Sequence, residues 1–532
     1  MHERLLLAVL TSLPLAAACS DGAPTYAMVP KPERADVAAA GPFPGFTLFA
    51  PLTSNSVYLV DMAGEAVHRW VAPRKPGEMA YLTERGTILA AQRTPDDPHF
   101  QDAGGGGGRI VEIDVDGTIL WEFDWNGDHG SQHHDLEELP NGNVLFVAWD
   151  RTTREEALAA GRDPELLEGA EFWAGAIYEV KPTRPKGGEI VWSWHAMDHL
   201  IQDYDEDLAG YGRPSDHPER IDINGDRDPE PPTPEEEAEE AAAMAAIGYA
   251  GGGDDPEEDD GDEEDAEEEE DPEEAARKAR VKDADWMHTN AVAYNAALDQ
   301  IAISVRRFDE IWVIDHSISR EEAKGPKGDL LYRWGNPFAY GMGEYEDRPL
   351  LGQHNVQWIP QGQLGAGNLI VFNNGSRDRR WSTLLEWWAP RDESGRYPRA
   401  EGEPWGPAEP EWTYEAEEPK SFHSPFISGV QRLPNGNTLA CSGAPGRVFE
   451  VTPAGEIVWD WRSPFTRTPE EVDDRSLKDH PTAMFRALRY APDHPGIVAL
   501  RAKGATIPDD PGAGPPTNQY VPPPAEDEEA EK

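Results

Sequence analysis

This chain of 532 residues is poor in cysteine, in basic residues and in helical periodicity. Cys19 and Cys441 are its only cysteines, which excludes a scaffold held together by disulfides and removes thiolates from any metal site. Lys and Arg number 47 against 101 Asp and Glu, a formal net charge of -54, so a nucleic-acid surface is excluded because phosphates would be repelled. Apolar residues do not recur at i, i+3, i+4, which excludes a helical solenoid.

The acid is concentrated. Residues 225–285 hold 27 acidic and 5 basic side chains and have little apolar surface to bury, so an unfolded insertion is expected there. The tail from 501 to 532, rich in Pro and acid, reads the same way. At the other end Arg4 precedes the apolar run "LLLAVLTSLPLAAAC", too short to cross a bilayer comfortably and shaped like a secretory leader. Ala16-Ala17-Ala18-Cys19 resembles the lipobox of bacterial lipoproteins, which implies lipidation of Cys19. An exported protein in the cell envelope is expected, held to a membrane by that lipid anchor alone, on the periplasmic face or at the outer membrane. Residues 20–44 read as a linker.

Between these ends one theme repeats six times. Strand-like runs end in aromatic phrases: "GEAVHRW", "GTILWEF", "GEIVWSW", "GDLLYRW", "EPEWTY" and "GEIVWDW". Each follows a second apolar run, such as "RIVEIDVDG" or "RVFEVTPAG". Each is followed by a leading unit that reads as strand, turn, strand, from "MAYLTERGTILAAQ" to "MFRALRYAPDHPGIVAL". "HHDLEELPNGNVLF" and "FHSPFISGVQRLPNGNTLACS" share a Leu-Pro-Asn-Gly-Asn turn, suited to a tight hairpin. Six such repeats predict an all-β, six-bladed β-propeller over residues 45–500, with the acidic insertion in its third gap. The first repeat lacks a leading unit and the last repeat is only a leading unit, so the two are expected to close one blade together.

Histidine heads four leading units: His134 (or His133), His288, His354 and His423. First strands of propeller blades line the central channel, so residues in phase converge near one mouth. Imidazoles suit nucleophilic and acid–base work near neutral pH. Arg306 and Arg377 each follow a strand that starts near one of these histidines, placed to clamp an anionic oxygen; bracing of a blade is the plain alternative for both. Neither a metal nor a cofactor is expected.

The phrases "DWMHTNAVAYN", "QHNVQWIP" with "GNLIVFNNG", and "ISGVQRLPNGNTLACSG" with "GRVFEVTPAGEIVWDW" resemble the bacterial aryl-sulfate sulfotransferase family, over about Gly45 to Pro492. The resemblance implies a six-bladed periplasmic propeller. It also implies ping-pong sulfuryl transfer from an aryl sulfate to a phenol through a sulfohistidine, without a nucleotide donor. It implies catalytic roles for His288, His354 and Arg377; beside them His134, Arg306 and Asn290 are expected to bind substrate. In well-known members the nucleophilic histidine follows a phrase like "FYSP". Here the strand "TLACSGAPGRVF" has no histidine, so His423 stands as the nucleophile from a shifted position, with His288 and His354 as the other candidates. Two readings compete with the enzyme: a non-catalytic, lipid-anchored propeller that binds an anionic or aromatic ligand, and a quinone-dependent dehydrogenase. The second lacks a calcium site, because "DINGD" from Asp222 has no glutamate at the needed spacing.

Overall fold

The computed structural model describes residues 27–31, 41–94, 97, 99–100, 103–246, 277–376, 379–465 and 482–512. The leader with Cys19, residues 247–276 of the acidic insertion, Arg377 and most of the tail lie outside the described residues. Among those described, six four-stranded antiparallel sheets form the blades of a propeller. The innermost strands are Pro76–Leu82 in blade 1, Gly130–Glu138 in blade 2, Thr289–Asn295 in blade 3, His354–Trp358 in blade 4, Ser428–Arg432 in blade 5 and Met484–Tyr490 in blade 6. These six neighbour one another around the ring. Blade 6 joins Met484–Tyr490 to Phe46–Pro51, Ser56–Val60 and Ala66–Val71, so the two ends of the chain close the circle as expected.

Every junction carries a hydrogen bond between innermost strands or the residues leading into them. In ring order the Tyr81 hydroxyl donates to Asp135 (2.6 Å), the Val292 amide to Asp135 (3.1 Å), Asn290 Nδ2 to the Gln353 carbonyl (2.8 Å) and the Val430 amide to Asn355 (2.8 Å). The Arg489 amide donates to Gln431 (2.8 Å) and the Leu82 amide to the Tyr490 hydroxyl (3.1 Å). The outer ring is stapled by the repeated tryptophans. Their indole N–H groups reach carbonyls associated with the next blade: Trp121 to Gly187, Trp192 to Ile318, Trp334 to Pro407, Trp412 to Pro453 and Trp459 to Met62. An indole buries a large apolar body and still needs one acceptor, so one residue type serves packing and registration together.

Two expectations need correction. "PGIVAL", at the end of the last leading unit, is not a strand but the helix Pro495–Ala502. His494 caps it through the Gly496 amide (3.1 Å), and Pro495 stands at its first turn, where its missing N–H costs nothing. Ile497 and Leu500 bury against Phe46 and Leu48. The acidic insertion is ordered at both ends. Pro234–Ala246 is a helix in which Thr233 and Glu236 form a reciprocal cap, acid occupies the first turn, and alanines follow. Charge alone concealed this start signal. At the far end Asp285 bridges to Trp173 and enters the site described next.

Candidate functional site

Five innermost strands begin with the same distortion. Glu78, His134, His288, Asn355 and Ile427 have φ of 87°, 51°, 46°, 57° and 44°, the left-handed region that side chains other than glycine rarely adopt. In blades 1, 2 and 4 the residue sits where strand register slips, and in blades 3 and 5 it directly precedes the strand. Such bulges re-aim a side chain at the cost of local strain. They also define the true phase of the blades. His134 and His288 are equivalent, His354 lies one residue before its left-handed neighbour, and His423 lies four residues before. The four histidines are therefore not in phase, because the loops entering the blades differ in length.

Three of them still meet. The rings of His134 and His288 are 4.7 Å apart, edge to face. Phe485 underlies His134 and His354, with centroids 5.7 and 6.2 Å away. Burial, joined by the cationic field of Arg306, holds His134 and His354 well below the ordinary histidine range. His133 stacks on Trp149 at 3.8 Å and shares one hydrogen with His134 across a 2.6 Å Nδ1–Nδ1 contact; burial takes it to about 3. Gly105, in the run of five glycines, lies against the His134 ring, where a Cβ would come within 2.1 Å of it.

His354 is oriented by oxygen. Its Nδ1 faces the Gly352 carbonyl (3.0 Å) and Asn374 Oδ1 (2.9 Å). Asn374 cannot turn its amide over, because its Nδ2 donates to the Ser424 carbonyl (2.8 Å) and its Oδ1 also accepts from Ser428 (3.1 Å). Two acceptors at Nδ1 fix the proton there and leave the lone pair on Nε2, which is buried without a hydrogen-bond partner among the described residues. Gln353 anchors the preceding backbone by donating to the Val305 and Glu310 carbonyls (3.2 and 2.9 Å). Asp309 accepts from the Gly352 amide (2.7 Å).

His288 is oriented by charge. Its Nδ1 is 2.5 Å from Asp285 Oδ2, and Asp285 Oδ1 accepts from the Trp149 indole (2.9 Å). Burial works to raise Asp285, but His288, Arg307 and His133 outweigh it and keep the carboxylate ionised. Burial, with Arg306 and Arg307, leaves His288 below the ordinary histidine range, although Asp285 pulls it upward. Asp285, Asn374 and Gln353 escaped the sequence reading. The D-x-x-H spacing was visible, but it lay at the edge of the acidic block.

The other expected residues are distributed around this cluster. Arg306 lines a cleft of about 420 Å³, within the range of small-molecule sites, and His423 lies on its rim. Burial together with Arg380 and Arg379 lowers His423. Asn290, expected to touch substrate, is fully buried and braces blade 3 to blade 4. His134, His288 and His354 are buried and are not among the residues that line the cleft. Among the described residues, no group of three or more His, Cys, Asp or Glu side chains is placed to hold a metal ion.

A family model described as Arylsulfotransferase (ASST) matches residues 44–459. No curated protein sequence matches the chain. Among solved structures, the chain is similar to a protein of unknown function from Bacteroides caccae, with 11% identity and a TM-score of 0.39 over 84% of this chain and 98% of that one. It is also similar to the β-propeller domain of Myceliophteria thermophila Cps50 (Swd1), with 12% identity and a TM-score of 0.33 over 83% and 91%.

Proposed function

Because the chain belongs to the arylsulfotransferase family, we propose that it moves a sulfuryl group from an aryl sulfate to a phenol through a sulfohistidine formed on His354. The carrying observation is the lone pair of His354 Nε2: buried, unpartnered among the described residues, and unprotonated at neutral pH. Sulfuryl transfer, like phosphoryl transfer, needs positioning and charge stabilisation more than covalent machinery. Nε2 attacks sulfur while the bond from sulfur to the aryl oxygen breaks. Arg306 neutralises the sulfuryl oxygens. His288, in the imidazolium form that Asp285 favours against burial, gives its proton to the departing phenoxide and takes one back from the incoming phenol. His134 flanks His288 and confines the transferring group. Export and a lipid anchor at Cys19 are proposed on the leader alone.

The test is intact mass after brief exposure to 4-nitrophenyl sulfate without acceptor. The wild type gains one sulfuryl group; His354→Asn gains none; His423→Asn still gains it. An adduct that survives in His354→Asn and vanishes in His423→Asn would move the nucleophile to the rim. No adduct in any variant, and no nitrophenol release with added phenol, would favour a propeller that only binds.

A further inference from the structure

The helix Pro234–Ala246 has no part in that chemistry, yet its residues help line the cleft. Glu236, Glu239 and Glu240 line the same cavity as Arg306, Arg380 and His423. Glu240 Oε1 is 3.0 Å from Arg306 Nη2. Met244 packs against the apolar cluster that contains Phe426 and Phe485. Phe426 lines the cleft, and Phe485 touches the rings of both His134 and His354.

Glu240 and Met244 are four residues apart on one helix, so they project from one face about 5–6 Å apart at Cβ. An aryl sulfate has the same two features at a similar reach, an anionic head and an apolar body. We propose that this helix is an internal mimic of the donor: Glu240 holds the guanidinium that sulfate oxygens take, Met244 covers the ground of the aryl ring, and a donor must displace both. The inference rests on the aryl-sulfate reading of the cleft and deepens it, because it makes access to the buried His354 conditional on departure of the helix.

The contact is built to be reversible. The Glu240 side chain is 49% exposed, so its pair with Arg306 is screened and weak. Most of the helix faces solvent, with Met244 as its apolar anchor. Segments held by so few buried contacts open at little cost.

The experiment is calorimetric titration of the full chain with inorganic sulfate and with benzenesulfonate, which carries no transferable group. Glu240→Gln should bind both probes about two- to fivefold more tightly than wild type, an advantage that shrinks as salt rises. Met244→Ser should tighten benzenesulfonate more than sulfate. Glu235→Gln, on the exposed side of the helix, should match wild type. Unchanged or weaker binding in Glu240→Gln would overturn the proposal, and so would failure of every variant to bind either probe. A protein that shows these shifts but never acquires a sulfuryl group would sink the transfer reading alone. An active enzyme with unchanged affinities would sink the mimic alone.

Discussion

The blades and the mouth of the channel both bury ionisable side chains, and they satisfy them in opposite ways. Within the blades, Arg333–Glu310, Arg432–Glu386 and Arg489–Glu450 pair with all six side chains at 0% exposure. Each carboxylate has a further donor: the Trp312 indole on Glu310, Asn368 on Glu386 and Asn437 on Glu450. At the mouth, His354 is as deeply buried, but no carboxylate pairs with it among the described residues, and burial strips its proton instead. A buried charge persists when it is paired and bonded; a buried base without a counterion becomes neutral. The first arrangement is scaffold. The second stores a free lone pair, which a nucleophile requires.

The largest effect should come from unpairing the scaffold. Glu310→Leu leaves Arg333 charged and buried, and should cost about 3–5 kcal/mol in chemical denaturation. The double variant Glu310→Leu with Arg333→Met should recover most of that loss, because no lone charge remains. A single variant that costs less than about 1 kcal/mol would erase the distinction between the two regions.

Next comes the one histidine of the mouth that does own a carboxylate. Asp285 raises His288 against burial, so Asp285→Asn should lower His288 further. The imidazolium is the form that protonates the leaving phenoxide and exists below its pKa. The alkaline limb of sulfuryl-enzyme formation should therefore move to lower pH. Turnover of phenyl sulfate should fall on the order of 10²-fold, and of 4-nitrophenyl sulfate less, since its better leaving group needs less help. An unmoved limb would make Asp285 a brace only. The smallest effect belongs to the rim: His423→Gln should change kcat/KM by about threefold or less, whereas a loss on the order of 10³-fold would place the chemistry there.

The repeated Leu-Pro-Asn-Gly-Asn phrase shows how legible and how misleading the sequence is. Its repetition marks the blades correctly, but its amides serve structure. Asn143 donates to Glu179 and Asn437 to Glu450, each binding a hairpin turn to a glutamate of the third strand. In four blades that glutamate faces the outer tryptophan in register: Glu112 with Trp121, Glu179 with Trp192, Glu386 with Trp412 and Glu450 with Trp459. Histidines counted from the start of each leading unit fell out of phase, because the left-handed bulge sets the phase and no local pattern announces it. His423 entered the expected cluster on that miscount, and Asp285 was lost among neighbouring acids.

Blade number, the incomplete first and last repeats and the positions of the outer tryptophans follow from residues close together in the chain, since alternation, turn chemistry and indole spacing act over a few residues each. The tautomer of His354 and the acidic helix beside Arg306 do not. Each depends on which distant atom arrives within hydrogen-bond or ion-pair reach. Asn374 lies 20 residues from His354, and Glu240 lies 66 from Arg306. Pairing of the two inner strands of blade 4 makes the first meeting and docking of the helix makes the second, so the chemistry waits on tertiary contacts.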